Sequence, residues 1–75
     1  MILHIETFAI LADKLGKQFI LNLPEESRVS DLVAHLKKAN DIPTLRVVKD
    51  NIFMNDDTPL QDGDQIFLLP PSSGG

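Results

Sequence analysis

Hydrophobic residues recur along the chain with two different periods, and the switches between them divide it into elements. Ile2, Leu3, Ile5, Phe8 and Ile10 alternate imperfectly with polar neighbours, which suits a strand covered on one face and partly on the other. A first strand is predicted over about residues 2–9. Leu11 and Leu15 then stand four apart with Gly16 next, the spacing of one helical turn closed by a left-handed glycine. Phe19, Leu21 and Leu23 share one face of a second strand, antiparallel to the first, which Pro24 ends because it has no amide hydrogen. The period lengthens at Val29, Leu32, Val33, Leu36 and Ala39. This predicts a helix over 30–40, capped by Ser30, with Asp31 in its first turn and Lys37 and Lys38 at its carboxyl end. Asn40-Asp41-Ile42-Pro43 stops it before a short strand, Leu45-Arg46-Val47-Val48. Residues 51–59 are the least regular stretch, with a brief apolar run at Ile52-Phe53-Met54, and Asp62-Gly63-Asp64 turns the chain into a last strand, Gln65–Leu69. The order of main elements is strand, strand, helix, strand, strand.

With 75 residues, all of this must form one domain around one core, with no room for a separate catalytic domain. The chain has no cysteine, so disulfides, thiol nucleophiles, redox pairs and the usual structural zinc site fall away together. Eleven acidic against seven basic residues give a net charge of -4. Nucleic acid and anionic membranes are therefore poor partners. No apolar run is long enough to span a bilayer, and the first residues lack the pattern of a signal peptide, so a cytoplasmic protein is expected.

The division that follows is a domain over 1–69 and a flexible tail over 70–75. Pro70 and Pro71 end the last strand and send the chain away extended. Six residues reach up to roughly 20 Å. The tail closes on Gly74-Gly75, a pair thin enough to be drawn through a narrow channel into a partner's active site. Taken alone, two such glycines read more readily as a frayed end.

The run from Leu60 through Asp62-Gly63-Asp64 and Phe67-Leu68-Leu69-Pro70-Pro71 to Gly74-Gly75 resembles the carboxyl-terminal signature of the MoaD family, small sulfur-carrier subunits of molybdopterin synthase. Phe8-Ala9, Leu11-Ala12 and Leu15-Gly16 resemble that family's opening strand and turn. The resemblance implies an α+β, ubiquitin-like β-grasp fold, with a mixed sheet, one main helix across it, and the last strand parallel to the first. It also implies a carrier that is not an enzyme on its own. An E1-like, MoeB-like enzyme using ATP and Mg would adenylate the carboxylate of Gly75. A sulfur donor would convert it to a thiocarboxylate, with Gly74 threading the tail. Bound to the large, MoaE-like subunit of the synthase, the tail would pass sulfur to cyclic pyranopterin monophosphate. No cofactor is expected on this chain. The alternatives with the same fold are a ThiS-like carrier serving thiamine or cysteine synthesis and a ubiquitin-like protein modifier, and a plain interaction domain with an inert tail also stays open.

The same resemblance places Phe8, Phe53, Leu69, Pro70 and Pro71 on the partner-facing side, although these residue types serve a core equally well. Asp56, Asp57, Asp62 and Asp64 suit a solvated acidic turn or a rim that steers a basic partner. Their spacing is not that of a calcium loop, His4 and His35 lack a third ligand, and Gly16-Lys17 lacks the rest of a phosphate loop. No metal is expected.

Overall fold

The computed structural model of the protein describes residues 1–42 and 45–70. Five strands and two helices follow one another as β1 (Ile2–Thr7), α1 (Ile10–Leu15), β2 (Gln18–Asn22), α2 (Val29–Ala39), β3 (Arg46–Lys49), β4 (Ile52–Phe53) and β5 (Gln65–Leu69). The strands form one mixed sheet in the order β2-β1-β5-β3-β4. β1 runs antiparallel to β2, with Ile5 opposite Phe19, and parallel to β5, with Ile5 opposite Ile66. β3 pairs antiparallel with both β5 and β4. The first and last strands thus lie side by side at the centre of the sheet, as the sequence resemblance implies.

The pleat gives each strand one face per residue parity. Leu3, Ile5, Ile66 and Leu68 turn inward and are buried, and α2 covers them through Val29, Leu32 and Leu36. Leu11, on α1, is also fully buried in this cluster, while Val33, Phe19 and Leu21 are half-buried at its margin. Each fully buried leucine contributes about 1.5–3 kcal/mol by leaving water. Among the described residues no buried side-chain polar atom lacks a partner. Buried Thr7 is satisfied through a hydroxyl bond to the Gly16 carbonyl, and its amide donates to Lys17 O at 2.8 Å.

Several boundaries differ from the sequence expectation. β1 ends at Thr7 rather than 9, because Ala9 takes φ 56° and ψ -134° and turns the chain into α1. Gly16 closes α1 with positive φ, 94°, but its ψ of 153° lies outside the left-handed helical region. α2 begins at Val29, with Arg28 and not Ser30 at the cap. The reason is remote in sequence: the amides of Val29 and Ser30 donate to the carbonyls of Thr58 and Asp56, each at 3.0 Å. Those contacts satisfy helix-terminal donors that a cap side chain would otherwise serve. Asp31 completes the end by accepting from the Arg28 amide at 2.8 Å. At the other end Asn40 caps α2, with its amide and its Nδ2 both donating to Leu36 O. Pro43, the expected stop, lies outside the described residues. The stretch that looks irregular contains β4, joined to β3 by a two-residue loop whose members, Asp50 and Asn51, both have positive φ. That is the pattern of a tight hairpin turn.

Candidate functional site on the outer face of the sheet

The side of the sheet away from α2 carries the exposed aromatic residues. β5 presents Ile66 and Leu68 inward, so Gln65, Phe67 and Leu69 face outward. The register puts Phe67 between Glu6 of β1 and Val48 of β3, sets Val48 opposite Phe53 of β4, and sets Leu69 opposite Arg46. Phe8 follows β1 on the outward parity, and its ring centroid stands 6.0 Å from that of Phe67 with the planes at 31°. The Arg46 guanidinium lies over Phe53, 5.3 Å from its centroid. Such a contact at an exposed site is worth about 0.5–1 kcal/mol. Phe8 is 41% exposed and Phe53 60% exposed. Three aromatic rings, two aliphatic side chains and one cation therefore form a continuous outer patch beside the strand that leads into the tail.

Of the residues expected on a partner-facing side, Phe8, Phe53 and Leu69 come together on this face and outside the buried core, with Leu69 half-buried. Pro70 follows directly and is half-buried. Pro71, Gly74 and Gly75 lie outside the described residues. Phe67, Val48 and Arg46 belong to the same patch and were not singled out in the sequence. Counting by twos along the last strand from Leu69 reaches Phe67, but the other two join only through strand pairing.

The four aspartates divide. Asp62 Oδ1 accepts from the Ile2 amide at 2.6 Å, and Asp64, 8% exposed, binds Lys49 Nζ at 2.8 Å and the Gln61 amide at 2.9 Å. Asp64 is thus a buried tie between central strands, whereas Asp62 is exposed in the turn and accepts from β1 there. The side chains of Asp56 and Asp57 are exposed, and their carbonyls serve Ser30 and the Arg28 guanidinium. His4 stands exposed on the outer sheet face and His35 on α2. Among the described residues no group of three potential ligands could hold a metal ion, and no helix is long and apolar enough to cross a membrane.

A five-stranded mixed sheet with the first and last strands parallel at its centre and one long helix across it is the ubiquitin-like β-grasp fold. The solved structures bear this out. The chain superposes on SAMP1 from Haloferax volcanii with a TM-score of 0.78 at 20% identity over 100% of both chains. It superposes on a putative molybdopterin converting factor subunit 1 from Pyrococcus furiosus with a TM-score of 0.80 at 22% identity, covering 96% of this chain and 99% of that one. It also matches a protein-protein complex of subunits 1 and 2 of the molybdopterin-converting factor from Helicobacter pylori, with a TM-score of 0.70 at 25% identity over 100% of both chains. No curated protein sequence matches significantly. The ThiS family model matches residues 5–75, and the chain belongs to that family. It is a ubiquitin-like sulfur carrier of the ThiS/MoaD type.

Proposed function

We propose that the protein is the sulfur-carrier subunit of a molybdopterin synthase, and that the outer patch of Phe8, Phe67, Phe53 and Leu69 docks it on the large subunit. The observation that carries this reading is the exposed aromatic face lying against the strand that leads into Gly74-Gly75, within a family match that runs through residue 75. The choice of pathway is supported by the likeness to the putative subunit 1 from Pyrococcus furiosus and to a chain of the Helicobacter pylori complex of subunits 1 and 2.

In this reading an oxygen of the Gly75 carboxylate attacks the α-phosphorus of ATP on a Mg-dependent activating enzyme and expels pyrophosphate. The acyl adenylate is far more electrophilic than the carboxylate, and sulfide or its equivalent displaces AMP to leave a thiocarboxylate. The carrier then delivers that sulfur to the pyranopterin precursor in the large subunit. Catalytic side chains belong to the partners, and this chain supplies the tail and its alignment.

Appending one alanine after Gly75 moves the reactive carbon by about 3.3–3.6 Å, more than reaction geometry tolerates. Incubated with activating enzyme, ATP and sulfide, the native chain is expected to gain the mass of sulfur in place of oxygen, and the extended chain is expected to stay unmodified with an unchanged melting point. Equal charging of both would refute the tail chemistry. A second reading, a carrier for thiazole synthesis, is favoured by the name of the matched family. Sulfur transfer from the charged protein to the pyranopterin precursor, assayed with the large subunit, decides between them.

A further inference from the structure

The two edges of the sheet are unlike. β4 offers two residues beside the Asp50-Asn51 turn, whereas β2 offers five, Gln18-Phe19-Ile20-Leu21-Asn22, with neither charge nor proline. Natural sheets blunt exposed edges with lysine, proline, bulges or brevity, and β2 has none of these. We propose that β2 is a homodimerisation edge, on which two copies pair antiparallel about a two-fold axis at Ile20, joining their sheets into one.

The hydrogen-bond phase of β2 supports this register. Thr7 donates to Lys17 O, and Leu23 and Met1 exchange bonds in both directions. Antiparallel pairs alternate, so Phe19 and Leu21 are the residues bonded to β1, and Gln18, Ile20 and Asn22 point their amides and carbonyls outward. None of those outward groups is bonded to another described residue. Pairing about Ile20 sets Gln18 opposite the partner copy's Asn22 and Ile20 opposite Ile20. Every outward group then meets an outward group, and all six bonds form.

The side chains are self-complementary in the same register. Phe19 and Leu21, half-buried on the inner face, meet each other across the join and extend the core. Ile20, 66% exposed, meets its own copy on the outer face. Lys14 and Lys17 precede the strand while Glu25 and Glu26 follow it, all exposed. Antiparallel pairing brings the basic end of one strand alongside the acidic end of the other. Glu25 also lies 3.5 Å from the Met1 amino group, which leaves Glu26 as the freer acid. Because β2 and β4 are opposite edges, the dimer leaves both outer aromatic patches open.

Gln18 and Asn22 are exposed, Gln18 bonding Glu6 Oε1 at 2.7 Å and Asn22 the Met1 amino group at 3.4 Å, so both can be changed without opening the apolar core. In the Gln18→Lys/Asn22→Lys variant each lysine faces a lysine of the other copy. In Gln18→Lys/Asn22→Glu each faces a glutamate. Sedimentation equilibrium of the full chain is expected to show mass rising toward the dimer with concentration. The dissociation constant should rise about tenfold in the first variant and return to the native value or below in the second. In native protein, amide signals of Gln18, Ile20 and Asn22 should shift with concentration while those of Phe19 and Leu21 stay fixed. A native chain that remains monomeric up to about 1 mM overturns the proposal. So does a dimer equally strong in both variants, or one broken by Phe53→Glu alone, which would place the contact on the outer patch.

Discussion

Ala9 and Gly16 bracket α1, both with positive φ, yet only one of them is a glycine. Gly16 combines φ 94° with ψ 153°, a region essentially closed to residues with a Cβ. A Cβ built there meets nothing within 4 Å, so substitution acts through the backbone torsion alone. Gly16→Ala is therefore expected to cost about 1–3 kcal/mol, read as a lower urea midpoint at unchanged slope. A shift within error would show that the junction relaxes freely. Ala9 bears a similar strain with its Cβ in place, immediately after the Phe8 ring that packs on Phe67. Asp64 belongs to the same scale of description. Its carboxylate joins the start of β5 to β3 through Lys49, so a residue that looks like one of four turn acids ties two strands together.

At the scale of elements, α2 and the outer patch are held by opposite faces of one sheet and should respond separately to mutation. Leu36, 4% exposed on α2, fills the inner layer, and Leu36→Ala is expected to cost about 2–5 kcal/mol in thermal or denaturant unfolding. A loss under about 1 kcal/mol would remove it from the core. Phe53→Glu acts on the other face. The new carboxylate can pair with Arg46 in water, so stability should move by no more than about 0.5 kcal/mol. On the proposed function, binding to a large synthase subunit, measured by calorimetry, should weaken about thirtyfold or more, as for loss of a central aromatic contact. Unchanged binding would put the docking surface elsewhere.

The elements most legible in the sequence are those whose period is expressed over several residues, namely β1, β2, β5 and the Val29, Leu32, Leu36 stripe of α2. The start of α2 was not legible, because its amides are capped by carbonyls of Asp56 and Thr58, far along the chain. β4 is too short to show a period, and its turn is set by two positive-φ residues, neither of them glycine. Phe8, Phe53 and Leu69 could be named as a group through resemblance, and Phe67 follows from Leu69 by strand alternation, but Val48 and Arg46 join them only through the β5–β3 register.

For the whole molecule, the central pair is also the most distant in sequence: Ile5 stands opposite Ile66, and closing a loop of about sixty residues costs roughly 3–4 kcal/mol before any strand contact offsets it. β5 alone joins the β2-β1 half of the sheet to the β3-β4 half. A chain stopped after Asp64 is expected to show no cooperative melting transition by circular dichroism, although most of its hydrophobic residues remain. A sharp transition in that fragment would show that the halves hold together through α2. The topology therefore has a consequence for biosynthesis. During translation no lasting fold can form until the strand ending at Leu69 has left the ribosome, and Phe67 and Leu69 of the outer patch arrive on that same strand. On the proposed function, an activating enzyme that recognised this folded face would act only on chains that already contain β5.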